Sequence, residues 1–142
     1  MTIGGRLGRG LRSAAIDASE AAALAVNERF YGAFEARDID AMSSLWSHDD
    51  HVVCTHPGWA TLRGWAAIAS SWFALFQGPA AIQFILTDVH VAIVGEVAWV
   101  SVDENVIGQQ LGSTVAALNI FVHSAGSWQM VAHHGSSVID SG

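Results

Sequence analysis

Four stretches decide the fold: AIQFILTDVHVAIVG (81–95), EVAWVSVDENVIG (96–108), STVAALNIFVHSAG (113–126) and SWQMVAHHGSSVID (127–140). In each, the pattern has a period of two, which is the signature of half-buried strands. Turn signals at Gly95, Gly108–Gly112 and Ser124–Ser127 predict that neighbouring strands pair as hairpins. Upstream the period is helical. Asp17 and Glu20 are spaced as a capping pair, and Val26, Phe30 and Phe34 recur beside Leu24 and Tyr31, which predicts a helix from about Ala18 to Ala36. Asp38 caps a short second helix with Ile39, Met42, Leu45 and Trp46 on its apolar face. HVVCTH (51–56) reads as a short strand stopped by Pro57-Gly58. Trp65, Ile68, Trp72 and Leu75 or Phe76 predict a third helix over Gly64–Gln77, ended by Gly78-Pro79. Helices followed by hairpin-linked strands indicate an α+β domain. Three N-terminal helices are expected over the concave face of a curved antiparallel sheet, a cone with a pocket inside.

Composition narrows the function. The 142 residues suit one domain, read here as 18–142 behind a flexible, Gly-rich tail at 1–17. With 51% apolar and 13% charged residues the chain must build a substantial interior. It has thirteen acids, six Arg and no Lys, and every Arg lies at or before Arg63, so nucleic acid is an unsuitable partner. Asp17 and Glu20 interrupt any signal-like apolar run after Arg6, Arg9 and Arg12. Ser70, Ser71, Gln77, Gln83 and Gly78-Pro79 break the uncharged stretch 64–87, so no membrane span is expected. Cys54 is the only cysteine, which excludes an intrachain disulfide and suits the cytoplasm.

ARDIDAMSSLW (36–46), SHDDHVVCTHPGW (47–59), LRGWAAIASSWFALF (62–76) and WQMVAHHGSS (128–137) together resemble the nuclear transport factor 2-like superfamily, within it the SnoaL-like and ketosteroid-isomerase-like proteins. The resemblance covers about residues 18–139. It implies a cone-shaped fold, commonly a homodimer packed through the outer face of the sheet. It does not imply one reaction, because this superfamily hosts isomerases, cyclases, hydrolases, dehydratases, metal-free carbonic anhydrases and non-catalytic assembly modules.

Candidate chemistry centres on histidine. His56 precedes Pro57-Gly58, where ketosteroid isomerases carry the proton-moving carboxylate, and a neutral imidazole walled by aromatics suits the same task. Its alternative is a turn residue bonding a carbonyl. His133 and His134 point to opposite faces of a strand. A regular hairpin pairing His123 with Trp128 brings Ala117 opposite His134 and puts Asn119, Phe121, Trp128, Met130 and His134 on one face. In SnoaL-like proteins the histidine six residues after the tryptophan recurs, here His134, so His134 with Asn119 is the expected polar pair, or else a buried structural one. The phenol position of the ketosteroid-isomerase pattern reads Phe30, with Tyr31 about 100° away around the helix. Asp103 or Glu104 could supply a protonated inward donor, the device by which ketosteroid isomerase holds its intermediate; WVSVDENV (99–106) resembles family members with an acid there, which favours Glu104, while the GQQLG loop (108–112) leaves the register open. Trp59 stands out in its loop as a ligand contact. Phe30 and Trp46 are expected to shape the apolar wall. Arg63 would anchor an anionic ligand or pair with Asp49 or Asp50. The histidines 48, 51 and 56 lack a recognised metal spacing, so no metal is expected. A Cys54–His56 dyad is the lesser alternative to Cys54 as a core residue.

Two readings follow. One is cofactor-free acid–base chemistry (isomerase, cyclase, dehydratase or hydrolase type) on a small apolar organic molecule. The other is a non-catalytic ligand-binding or oligomerisation module. HHGSS (133–137) is also similar to the ending of metal-free carbonic anhydrases on this fold, but the extra Gly135 shifts Ser136 and Ser137 by one face.

Overall fold

The computed structural model describes residues 17–79, 81–108 and 113–139. The tail expected at 1–17 therefore lies outside the described residues except for Asp17, as do Asp140 and the centre of the turn after Gly108. Helix α1 spans Ala18–Ala36, with the Asp17 carboxylate accepting the Glu20 N–H at 2.9 Å. Arg37 ends it in the left-handed region (φ 54°), its N–H shared by the carbonyls of Ala33 and Phe34. Asp38 caps α2 (Ile39–Leu45) through the Ala41 N–H at 3.0 Å. Helix α3 runs Trp65–Phe76. The strands are β1 (Val53–Thr55), β2 (Leu62–Arg63), β3 (Gln83–Val94), β4 (Val97–Ile107), β5 (Ser113–Ser124) and β6 (Ser127–Ser137).

The six strands form one sheet in the order β2-β1-β6-β5-β4-β3. The long strands are an antiparallel meander, but β1 runs parallel to β6, so the sheet is mixed rather than wholly antiparallel. The two-residue strand β2 was not expected from sequence. It closes on β1 after the turn His56–Trp59, in which Gly58 has φ 84° and the Trp59 N–H reaches the His56 carbonyl at 2.9 Å. The sheet is a curved, open cone with the helices over its concave side. Among the described residues no helix is long and apolar enough to cross a membrane.

The concave face carries Ala98, Val100, Val102 and Glu104 from β4, and Val115, Ala117, Asn119 and Phe121 from β5, all buried. Phe30, Trp72, Met42 and Met130 complete the core above them. Phe30 meets Trp72, Tyr31 and Phe34 edge-on with centroids 4.9–6.1 Å apart, a geometry favoured by the ring quadrupoles. The indole N–H groups of Trp46 and Trp72 are buried without a hydrogen-bond partner. Each such orphan costs about 1–3 kcal/mol, offset by the large apolar area the rings bury.

Two bulges break the ladders. Between Thr87 and His90, β3 gains one residue against β4, and Asp88 there adopts φ 54°. Between Ile120 and Phe121, β6 gains Val131: Phe121 pairs with Met130, while Ile120 pairs with Ala132. An extra residue re-aims everything beyond it because the side-chain period is two. The hairpin starts in the expected register, His123 opposite Trp128, and then shifts, so Asn119 faces His133 and Leu118 faces His134. The expectation that His134 points inward fails for this reason.

Gly135 lies on the inward side beyond the bulge. A Cβ there would stand 3.0 Å from Val115 Cγ1 and 3.3 Å from Pro57 Cγ. Gly135→Ala is expected to cost about 1–3 kcal/mol through overpacking, read as a lower urea midpoint at unchanged m-value. An unshifted midpoint would mean that Pro57 yields freely.

Candidate functional site

A cavity of about 240 Å³ lies between α1, α3, the turn after β1 and the concave face of the sheet. Its wall is mostly apolar, with Phe34, Phe84, Val106 and Val115 prominent, and three titratable side chains enter it: His56, Glu104 and His133. The alternation of β4 that buries Val100 and Val102 delivers Glu104 to the same face, 3% exposed, while Asp103 points to the other side. The parallel pairing of β1 with β6 brings the end of β1 beside His133, and the centroids of the His56 and His133 rings are 6.4 Å apart. Trp59 forms the rim, 42% exposed, its indole edge-on to His56 at 4.8 Å.

A chain of hydrogen bonds backs these groups. His133 Nδ1 donates to Asn119 Oδ1 at 2.5 Å, and the Asn119 amide donates to Asn27 Oδ1 at 2.8 Å and to the Tyr31 hydroxyl at 3.1 Å. Tyr31 then donates its own proton to Glu104 Oε2 at 2.5 Å. The amide N–H₂ group can only donate, so Asn119 Oδ1 must accept. That fixes the His133 proton on Nδ1 and leaves Nε2 bare. His56 is fixed by similar logic. The Ser71 hydroxyl donates to the Ile68 carbonyl at 2.7 Å, so it can only accept from His56 Nε2 at 2.9 Å, and Nδ1 keeps its lone pair.

Burial sets the charges. Removal from water raises Glu104 to about 7, partly opposed by the Tyr31 hydrogen bond, which favours the carboxylate. Burial lowers His56 to about 4, and burial with the neighbouring His56 and His134 lowers His133 to about 3, so both imidazoles are neutral at pH 7. Burial and the adjacent Glu104 push the Tyr31 phenol well up, so it stays a donor. The cavity is thus lined by a carboxyl group poised near neutrality and by two uncharged imidazoles.

The remaining sequence candidates fall elsewhere. His134 is exposed on the outer face, displaced there by the Val131 bulge. Phe30 is wholly buried in the aromatic core and does not line the cavity. Tyr31, set aside on angular grounds, reaches the site because it stacks with Asn27 and Phe34 at four- and three-residue spacing on the face toward β4 and β5. Trp46 is buried 6.0 Å from Trp65 and bridges to Met130, away from the cavity. Arg63 lies exposed on the edge strand β2 and, among the described residues, pairs with neither Asp49 nor Asp50. Cys54 Sγ is 3.8 Å from His56 Nε2, but burial pushes the thiol up to about 12, so no thiolate is available. His48 bonds the Ser43 carbonyl and His51 pairs with Asp49, apart from His56. Sequence reasoning missed Ser71 and Asn27 altogether. Both are polar residues on the apolar face of a helix, a signal that was present in the spacing.

Comparison with known proteins agrees with this architecture. A crystal structure from Streptomyces avermitilis, provisionally described as a dehydratase of the nuclear transport factor 2-like family, superposes with a TM-score of 0.81 at 31% identity, covering 89% of this chain and 100% of that one. A second, from Thiobacillus denitrificans and provisionally described as a calcium/calmodulin-dependent protein kinase type II association domain, superposes at 0.75 with 36% identity, covering 81% and 94%. The F-box protein SKIP8 of Arabidopsis thaliana is 30% identical over 124 residues, 86% of this chain and 52% of that protein. The chain therefore spans about half the length of this curated relative. The SnoaL-like domain family matches residues 23–140. With that match, and with the cone and its inward polar chain in place, the protein belongs to the SnoaL-like family of the nuclear transport factor 2-like superfamily.

Proposed function

We propose that this protein is a cofactor-free acid–base enzyme acting on a small, largely apolar carbonyl compound. The observation that carries the reading is Glu104: a carboxyl group in an apolar cavity, held by the Tyr31 hydroxyl and brought to about 7 by burial. A general base works best when its pKa lies near the working pH. Glu104 removes a proton from the carbon next to the carbonyl and returns it at a second position or to a leaving hydroxyl. That step serves isomerisation and dehydration alike. Neutral His56, with its lone pair on Nδ1, accepts a substrate hydroxyl and orients it. Asn119 and Tyr31 are positioning residues that act through Glu104 and His133. Sites for small molecules usually measure about 300–1,000 Å³, so a cavity of about 240 Å³ suits a single ring or a short chain. The similarity to the Streptomyces protein described as a dehydratase points the same way.

A second reading, an association module, draws on the outer sheet face. Trp99, Leu118 and Val97 are between 36% and 38% exposed there, and register places Trp99 opposite Ile120 and Leu118 opposite His134. Apolar groups of this kind on a sheet mark an interface. A homodimer through this face, working in a reducing compartment that keeps Cys54 free, is compatible with either reading.

The test is deuterium wash-in from D₂O at the α-carbons of small cyclic ketones, followed by proton NMR. The wild type is expected to accelerate exchange, with a rate that rises through pH of about 7 as Glu104 ionises and then levels. Glu104→Gln should lose about 10²–10⁴-fold of that acceleration while keeping its fold. Exchange no faster than buffer, or equal in both proteins, defeats the enzyme reading and leaves the module.

Stability should carry the same signature. The folded-state value of Glu104 lies above the ordinary 4.5, so the native state holds a proton that the unfolded chain has already released, and this stabilising effect is lost as pH rises through about 7. His56 and His133 lie below the ordinary 6.5, so their contribution is present above that pH and is lost as pH falls toward about 4. In the window between, the two effects oppose. Acid destabilisation from about pH 6.5 to about 5 is therefore expected to be steeper in Glu104→Gln than in the wild type, read by urea unfolding at both pH values. Parallel losses would show that Glu104 does not hold its proton in the fold.

A further inference from the structure

The cavity before Glu104 adjoins a second hollow of about 70 Å³: Phe34, Leu75 and Ile82 line both, and Phe76 and Arg37 complete the second. A carboxyl group thus lines one hollow and a guanidinium the other, with three apolar side chains shared between them.

Arg37 is set there by its backbone. As the left-handed cap of α1 it leaves the helix sharply, and its Nη1 donates to the Gly78 carbonyl at 2.6 Å, at the turn that ends α3. That bond uses one of five guanidinium N–H donors. The acids beside it in sequence are committed elsewhere: Glu35 accepts the Phe84 N–H at 2.8 Å and Asp38 caps α2. Among the described residues no carboxylate pairs with Arg37. In a chain of net charge −7, this is a cation in an otherwise acidic protein, placed at the rim of an apolar hollow.

The geometry points to a substrate with an apolar body and a terminal carboxylate, the carboxylate on Arg37 and the reacting carbon before Glu104. The inference deepens the acid–base reading and rests on it for the reaction, though not for binding. A guanidinium fork matches a carboxylate and fixes its orientation as well as its charge. Anchoring at the rim sets which carbon of the body reaches Glu104. The role expected of Arg63 thereby falls to Arg37, because β2 carries Arg63 on the exposed edge of the sheet, outside the cavity lining.

The test is a ligand-observed NMR titration with 4-oxocyclohexanecarboxylate and its methyl ester, which share ring and ketone but differ in charge. The wild type is expected to bind the acid about tenfold tighter than the ester, a modest factor because the guanidinium is exposed. Added salt should shrink the preference. Arg37→Gln should weaken the acid alone and bring the two affinities together, and Arg37→Lys should restore part of the difference. Equal affinities in the wild type, a preference that survives Arg37→Gln, or binding of neither compound would overturn the inference. Because binding is read without turnover, the two ideas fail separately. A protein that prefers the acid but exchanges no α-proton keeps the Arg37 site and loses the acid–base reading. One that exchanges both ketones yet binds them equally loses the Arg37 site alone.

Discussion

Asn119 holds the interior of the cone in one arrangement. Its carbonyl accepts from His133 on its own sheet, and its amide donates across to Asn27 and Tyr31 on α1, so one side chain ties β5 to β6 and the sheet to the longest helix. A buried amide is costly unless satisfied, and here the partners are themselves buried polar groups that would otherwise be orphaned. Satisfaction therefore propagates. Asn119 orients Tyr31, Tyr31 orients Glu104, and the directions of the donors fix the protons on both imidazole–amide and phenol–carboxyl bonds. The aromatic core around Phe30 and Trp72 supplies the dry surroundings that give those directions their energetic weight.

The α+β class, the three helices and their caps at Asp17 and Asp38, and the hairpin order of the long strands could be read from the sequence, because each rests on local periodicity and turn chemistry. Three features could not. The short β2 and the parallel docking of β1 on β6 depend on contacts between residues far apart in the chain, and a two-residue strand has no period to detect. The Val131 bulge has no turn residue to announce it; valine is as good a strand residue as any. One undetected residue was enough to invert the choice between His133 and His134, while the β4–β5 ladder that carries Glu104 and Asn119 runs without a break, so the resemblance that favoured Glu104 and the alternation that gave Asn119 both lead to the inward face. Tyr31 failed for a different reason. A helix lying across a curved sheet buries a broad stripe, so Phe30 and Tyr31 are both inside, one toward α3 and one toward Glu104.

The interior divides into a packed core and a cavity. Phe121, Met130 and Trp46 are wholly buried in the core, while Phe34, Val106 and Val115 line the cavity. The polar chain joins the two: Asn119 and Asn27 are buried behind the cavity, and Glu104 and His133, at the two ends of the chain, both line it.

The adjacency of two histidines does not make β6 tolerant of a register slip. If the bulge were smoothed out and Val131 took a place in a regular ladder, Ala132 would stand opposite Asn119 and His134 opposite Ala117, and the polar chain would lose its imidazole. His134 would then occupy the place that Gly135 holds opposite Ala117, where a Cβ meets Val115 Cγ1 at 3.0 Å and Pro57 Cγ at 3.3 Å. The register of this strand is thus guarded twice, by the imidazole that partners Asn119 and by the absence of a side chain two positions later.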